Sequence, residues 1–376
     1  MTEAAGTRFA FPAGMEKFEV ARLLDQDKPL QRSFAPELLA AGGLLMMITR
    51  MIRRGRREGF RDASVLITGG SRGLGLEMAR VFVKEGARVT IMARSEDELE
   101  AARQELLSRG ADIATIQCDL TDPREIHSAI ARVLELRGRV DVLVNNAGII
   151  QVGPEENMNL RDYENAMKIH AWAPLHLIRA LAPRMKKQGG GRIVNITSIG
   201  GLVSVPHLLP YDMSKFALVG LSDGMRAELA KDGISVTTIA PGLMRTGSHI
   251  RAQMKGQHEK EFAWFAASAA FPLISMNSAR AARLIVEACK DKRSRVILGW
   301  QARTLHTVNA LFPGALSAAM RLVVRALPAP AEPEEALMER PGYKARPSWM
   351  PSILTRLADK ASLRNKETEE REKKAA

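Results

Sequence analysis

From residue 64 onward, the apolar positions follow two alternating patterns. Short runs rich in β-branched residues, SVLIT at 64–68 and RVTIMA at 88–93, read as buried strands. The stretch after the first run places Leu76, Ala79, Phe82 and Val83 at helical spacing. DIATIQCDL, VDVLVNNAGI, GRIVNITS and ISVTTIAPG continue the series of strands, and SARAARLIVEACKDKRSRVILGW reads as a further helix and the last strand. Strands alternating with helices predict an α/β domain.

The pattern changes on either side of that domain. An uncharged apolar run, Leu38–Thr49, precedes the basic block RMIRRGRREGFR. Its twelve residues fall short of the ~20 that span a bilayer. Two readings stand: a helix lying on anionic lipid, or a helix packed on the domain with its arginines solvated. Were the run to span, its arginines would face the cytoplasm. Thr304–Met320 is uncharged but interrupted by Pro313-Gly314, and AMRLVVRALP follows. The interruption predicts two short amphipathic pieces rather than one spanning helix, set in an interface or packed on protein. PAPAEPEE then predicts a linker to a mobile charged tail. The expected division is an N-terminal extension over 1–61, the α/β domain over 62–301, an amphipathic segment over 302–328, and linker and tail over 329–376. Membrane contact is expected through 36–61 and 304–328.

Composition narrows the class. The 376 residues are 46% hydrophobic and 26% charged, enough for a large core and one large domain or two. Two cysteines do not make a disulfide framework and suit a reducing compartment. No basic segment precedes an apolar one at the start, so no secretory signal is expected and the location is read as cytoplasmic, or the cytoplasmic face of a membrane. A net charge of +13 points to anionic partners such as phosphates or acidic lipid. Aromatics are only 5%, and no zinc-finger or RNA-recognition string is present, so nucleic acid is not expected.

The chemistry begins at the turn after the first strand. Gly69, Gly73 and Gly75 in a strand-to-helix turn allow close backbone approach to a ligand, and the helix start offers N–H groups and a positive dipole end to a pyrophosphate. The spacing is GxxxGxG, not GxGxxG. Gly69-Gly70-Ser71-Arg72-Gly73 also fits the nucleophile elbow of hydrolases, but that reading leaves Gly75 and the later motifs unexplained. Where dinucleotide folds end the second strand with a ribose-binding acid stands Ala93, followed by Arg94. Loss of a carboxylate and gain of Arg72 and Arg94 favour a 2′-phosphate, hence NADP(H) over NAD(H). Asp119, with Leu120, closes the third strand on the adenine side; the alternative for Asp119 is a helix N-cap.

Tyr211 and Lys215 are four residues apart, on one face of a helix if Tyr211 opens it. A phenol titrates near ~10, and a nearby cation lowers that value toward the range where acid–base work is efficient. Ser198, thirteen residues earlier, is placed to hydrogen-bond the reacting oxygen.

TGGSRGLG at 68–75, NNAG at 145–148, Ser198, Tyr211 with Lys215, and Pro241-Gly242 occur in the order and spacing of the short-chain dehydrogenases/reductases. The resemblance covers roughly Ser64 to Trp300. It implies a Rossmann-like, doubly wound parallel sheet of about seven strands, here with N- and C-terminal helical extensions. It implies NAD(P)(H) bound over the strand ends, with Gly69, Ser71, Arg72, Gly73, Leu74 and Gly75 in the cofactor-binding turn. Tyr211 resembles the family's acid/base, Lys215 the residue that lowers the tyrosine pKa and holds the nicotinamide ribose, and Ser198 the donor to the substrate oxygen. Asn146, Ala147 and Gly148 resemble the segment lining the cofactor. Pro241, Gly242, Met244 and Thr246 resemble the loop that meets the nicotinamide. Family members commonly pair through helices corresponding to 125–137 and 163–187, so a homo-oligomer is expected. One position departs: His170 stands where the family usually has an asparagine serving a proton relay. It either preserves the relay, adds a titrating group, or is a buried histidine without a role.

Residues 243–276 form a long insertion, expected to be a mobile lid. Trp264, Phe265, Phe271, Leu273 and Met276 there, and Leu202, Val203, Val205, Leu208 and Leu209 beside the catalytic stretch, predict a greasy pocket. The expected activity is hydride transfer between NADP(H) and a lipophilic ketone or secondary alcohol. The alternative is a non-catalytic nucleotide-binding protein on a membrane face.

Overall fold

The structure is a computed structural model that describes residues 59–332 and 337–367. The apolar run at 38–49 and nearly all of its basic block lie outside the described residues, as does the tail beyond 367.

Seven strands form one parallel sheet: β1 (Ser64–Thr68), β2 (Arg88–Ala93), β3 (Ile113–Gln117), β4 (Val142–Asn145), β5 (Gly191–Ile196), β6 (Ile234–Pro241) and β7 (Arg295–Leu298). Their order is β7-β6-β5-β4-β1-β2-β3. Val65 of β1 pairs with Val89 on one side and Val142 on the other. The chain thus winds outward from β1 in one direction, returns, and winds outward in the other. A crevice opens beyond the C-terminal ends of β1 and β4, where such sheets bind ligands.

Side-chain alternation builds the two faces. Val65 and Ile67 enter one core, with α1 (Gly73–Lys84), α2 (Glu96–Leu107) and the later helix over Ser278–Lys290. Leu66, between them, enters the other, with α3 (Pro123–Arg137) and the helix over Ala173–Lys187. Phe82, one of the helical-period residues of α1, is wholly buried against Phe60. Burying such a ring contributes about 2–3 kcal/mol.

The middle of the chain supplies α4 (Leu160–Met167), a π-helical turn at Lys168–Trp172, α5 (Ala173–Lys187) and α6 (Leu209–Ala230). The insertion is largely ordered: Gln253–Met254 pairs with Gln151–Val152, and α7 (His258–Ala270) packs over the start of α6. α8 (Ser278–Lys290) follows. The expected interruption near Pro313 is present, separating α9 (Trp300–Leu311) from α10 (Pro313–Ala326). No helix among the described residues is long and apolar enough to cross a membrane.

The C-terminal part differs from the linker and mobile tail expected for 329–376. Arg340–Pro341 pairs antiparallel with Gln253–Met254, and α11 (Ser352–Arg364) docks on the insertion. Composition reports local propensity, and here tertiary partners override it. Thr355, Ala358 and Ser362 are buried, and Asp359 meets the buried His249 at 3.5 Å.

Candidate active site

The glycine turn is clamped to the end of β4. Asn146 donates through its side-chain amide to the carbonyls of Thr68 (3.0 Å) and Gly69 (3.1 Å), and the Thr68 hydroxyl accepts the N–H groups of Asn146 and Ala147. A Cβ on Gly69 would lie 2.9 Å from the Ala147 Cα, and one on Gly75 would strike the Gly69 carbonyl. Only glycine permits this approach. Gly73 starts α1 at φ +58, and Arg72 before it makes no side-chain capping bond. The first N–H groups of α1 therefore have no side-chain cap and lie at the positive end of the helix dipole. Gly73 donates to an oxygen there, the Asn365 carbonyl, at 2.9 Å. Glycines that a side chain would block and an uncapped helix start that already takes oxygen ligands fit a dinucleotide pyrophosphate.

The arginines expected at a 2′-phosphate divide. Arg94 is exposed at the end of β2. Arg72 pairs with Glu98 and, at 3.3 Å, with Glu367; the Ser71 hydroxyl also donates to Glu98. Leu74 and Leu120 are buried. Asp119 accepts from the N–H and hydroxyl of Thr121, whereas Asp122 is the N-cap of α3.

Tyr211 and Lys215 lie one turn apart on α6. The Tyr211 hydroxyl is hydrogen-bonded to the Ser198 side chain, whose Oγ also accepts the Gly200 N–H at 3.0 Å. Lys215 Nζ lies 5.5 Å from the centre of the Tyr211 ring and donates to the Ile196 carbonyl at 3.0 Å. The geometry reverses the expected depression of the tyrosine pKa. Burial pushes the phenol up to about 12, against the bond from Ser198 and with a further push from the Asp212 carboxylate. Burial also pulls the Lys215 ammonium down to about 7. Desolvation of both groups outweighs their mutual influence at this separation.

His170 sits in the π-helical turn, fully buried, edge-on to the Tyr211 ring with centres 5.4 Å apart. The Ile149 N–H donates to Nε2 at 3.1 Å, Nδ1 lies 2.7 Å from Ser214 Oγ, and that hydroxyl donates to the Tyr211 carbonyl. The chain of bonds specifies a neutral ring with its proton on Nδ1. Burial, aided by the charge of Lys215, holds its pKa well below the usual imidazole value. A Cβ on Gly148 would lie 2.7 Å from Nε2, so the glycine of NNAG makes room for this ring.

The segment after β4 joins the two halves of the site: Asn146 bonds the glycine turn, and Gly148 lies beside His170 and Lys215. A sequence profile described as short chain dehydrogenase matches residues 63–255, just over half the chain. The chain belongs to the short-chain dehydrogenase family. Dehydrogenase/reductase SDR family protein 7-like from Anopheles gambiae is 36% identical over 220 residues, covering 57% of this chain and 69% of that protein. Oxidoreductase UcpA from Salmonella typhimurium is 38% identical over 184 residues, covering 49% and 70%. Among solved structures, L-sorbose reductase from Gluconobacter frateurii, complexed with NADPH and L-sorbose, is 26% identical with a TM-score of 0.59, covering 65% of this chain and 97% of that one. Actinorhodin polyketide ketoreductase with NADPH is 28% identical with a TM-score of 0.57, covering 63% and 96%. This short-chain dehydrogenase is accordingly an NAD(P)-dependent oxidoreductase.

The apolar residues divide differently from the expected pocket. Val205 and Leu208 join Val152, Met254, Phe262 and Phe265 against Tyr211. Leu202 and Val203 instead pack beneath Leu316 and Met320 of α10, and Phe271 and Leu273 face outward. A surface cavity of about 500 Å³ between α1 and α8, lined by Arg80, Arg283 and Glu287, lies behind the glycine turn and away from Tyr211. Pro241 is buried, Thr246 is buried with its hydroxyl accepting the Ser248 N–H, and Met244 pairs with Met276. Gly242 is half-buried beside Ala302.

Four features went unseen in the sequence. Asp212 follows Tyr211 and accepts from Ser204 Oγ and the Val205 N–H, tying the loop after Ser198 to α6; burial lifts its carboxyl to about 7. Lys255 and Asp162 form a buried pair at 2.7 Å. His207 and Glu261 form another at 3.0 Å, joined by Trp264 Nε1. Asn365 and Glu367 reach the glycine turn. All but Asp212 lie far from their partners in sequence, so no spacing announces them.

Proposed function

We propose that this oxidoreductase interconverts a lipophilic ketone and its secondary alcohol, using NADP(H), with Tyr211 as acid/base. The observation that carries the reading is Tyr211, its hydroxyl bonded to Ser198 and its side chain packed, with Val205, against the apolar cluster of Val152, Leu208 and Phe265. A nicotinamide dinucleotide held by the glycine turn and Lys215 would supply or accept the hydride. Tyr211, protonated at neutral pH, gives its proton to the carbonyl oxygen as the alcohol forms. Ser198 holds that oxygen and orients the phenol. Lys215 holds positive charge beneath the phenol as it loses its proton. His170 and Ser214 act on the backbone of Tyr211, not on the substrate. Ala93 and the exposed Arg94 at the end of β2, with Arg72 in the turn, support preference for a 2′-phosphate. The NADPH complexes of the sorbose and polyketide reductases support it further.

The deciding measurement screens NADPH and NADP⁺ over bulky ketones and alcohols alongside small polar ones, with Tyr211→Phe as control. Turnover of small polar carbonyls alone overturns the lipophilic substrate, and equal use of NADH overturns the cofactor preference.

We also propose peripheral contact with a membrane surface through 304–328. Residues 299–327 contain no acidic side chain and carry Arg303, Arg321 and Arg325. Leu311, Phe312 and Leu322 are 65%, 61% and 64% exposed there. That combination suits anionic lipid. Co-sedimentation with anionic but not zwitterionic vesicles, lost in Phe312→Glu, is the expected result. The exposed Leu136 of α3 and Trp172 beside α5 support pairing of two copies through these helices, which light scattering tests.

A further inference from the structure

The chain beyond α11 turns back into the phosphate end of the crevice. The Asn365 carbonyl accepts the Gly73 N–H at 2.9 Å. Asn365 is fully buried, and its amide donates to the Thr246 carbonyl at 3.0 Å and the Ser278 hydroxyl at 3.2 Å. The Glu367 carboxylate lies against Gly73 so closely that a Cβ there would strike it. Arg72 stands 3.3 Å from that carboxylate, and Arg251 Nε donates to the Glu367 carbonyl at 2.8 Å. A carbonyl and a carboxylate thus occupy the donors that an uncapped helix start and two guanidiniums would present to phosphate.

We infer that residues 365–367 are a strap that competes with the dinucleotide for its own phosphate site, so that cofactor enters only when the strap lifts. The inference rests on the reading that the glycine turn holds the cofactor's phosphates. Both occupants need the Gly73 N–H and the space above Gly73, and they exclude each other. The strap is separable from its anchor. α11 is held independently, by the fully buried Thr355 and Ala358 and by Ser362 packed on Gly247. Between the anchor and Glu367, Lys366 adopts φ +56, a left-handed conformation unfavourable for a lysine that lifting relieves. Burial also raises the Glu367 carboxyl to about 7, with Arg72 and Arg251 opposing and Glu98 adding to the rise, so the docked strap is held under electrostatic tension.

A site that is free in only a fraction of molecules binds more weakly by that fraction. A chain ending at Arg364, and separately Glu367→Lys in the full chain, should bind NADPH about tenfold more tightly than the full chain, by fluorescence titration. In the full chain, NADPH should raise hydrogen exchange at 362–367. Adenosine 2′,5′-bisphosphate should do the same and adenosine should not. Unchanged affinity in both variants overturns the strap, as does protection of 362–367 by NADPH. If none of the three proteins binds a nicotinamide dinucleotide, the reading of the glycine turn falls and the strap with it. Should the shortened chain fail to fold, Glu367→Lys decides alone.

Discussion

Lys215 Nζ stands 5.5 Å from the centre of the Tyr211 ring, one turn along the same helix, and donates to the Ile196 carbonyl instead of the phenol. The arrangement places a cation under the ring without making the hydroxyl acidic. With its pKa raised to about 12, Tyr211 is fully protonated at neutral pH, the state suited to donating a proton to a carbonyl.

Tyr211→Phe removes that proton while leaving the ring and its apolar contacts. We expect kcat to fall at least 10³-fold, about 4 kcal/mol, with the melting temperature shifted by no more than about 2 °C. Ser198→Ala should lower kcat about 10²-fold with NADPH affinity retained. Activity within tenfold of wild type in Tyr211→Phe would remove the phenol from the reaction.

Lys215→Met should stabilise the ligand-free protein. The folded pKa of Lys215, about 7, lies below its value in the unfolded chain, ~10.4. The unfolded state therefore binds more protons between those values, and wild-type stability rises with pH across that window. Methionine carries no such penalty. Its advantage, about 1–3 kcal/mol after loss of the bond to Ile196, should be greatest at pH 7 and below and vanish near pH 10. Thermal melts at pH 7 and 9.5 measure the difference, and a lower melting point for Lys215→Met at pH 7 contradicts it.

His170→Asn should keep kcat within a hundredfold, because the imidazole is neutral, holds its proton on Nδ1, and is hydrogen-bonded to Ile149 and Ser214. The wild-type pH–rate profile should show no inflection from this ring between pH 5.5 and 8. His170→Leu leaves the Ile149 N–H and the Ser214 hydroxyl without this partner, which costs about 1–3 kcal/mol for each group left unsatisfied. Denaturant titration reads that loss.

Lys255→Met strands the Asp162 carboxylate in the interior. Asp162 retains bonds from Gln151 Nε2 and the Asn159 N–H, so the loss should fall near the lower end of the 3–5 kcal/mol seen for broken buried pairs. The Lys255→Met/Asp162→Leu double variant should recover part of it. Equal stability of the single variant and wild type would show that water reaches the pair.

Much of the architecture was legible because its determinants are local. β1 alternates its side chains between two cores, and α1 buries Leu76, Ala79 and Phe82 on one stripe, as the periodicity of those segments requires. The glycine turn was legible for the same reason, since Gly69 and Gly75 sit within seven residues of each other and no larger residue fits. The direction of the pKa shift at Tyr211 was not. A four-residue spacing places Lys215 nearby, but the lid over α6 sets how much water remains, and desolvation decides the sign.

The order of residues by itself determined the alternation of strands and helices, the glycine-lined helix start, and the company of Ser198, Tyr211 and Lys215. These follow from backbone sterics and short-range spacing. Only the tertiary structure decided that Glu367 reaches Arg72 across almost three hundred residues, that Leu202 and Val203 turn toward α10, and that His170 is locked neutral. Such pairings depend on which surfaces meet when the chain collapses, and on the water excluded between them, and neither quantity is carried by any single stretch of residues.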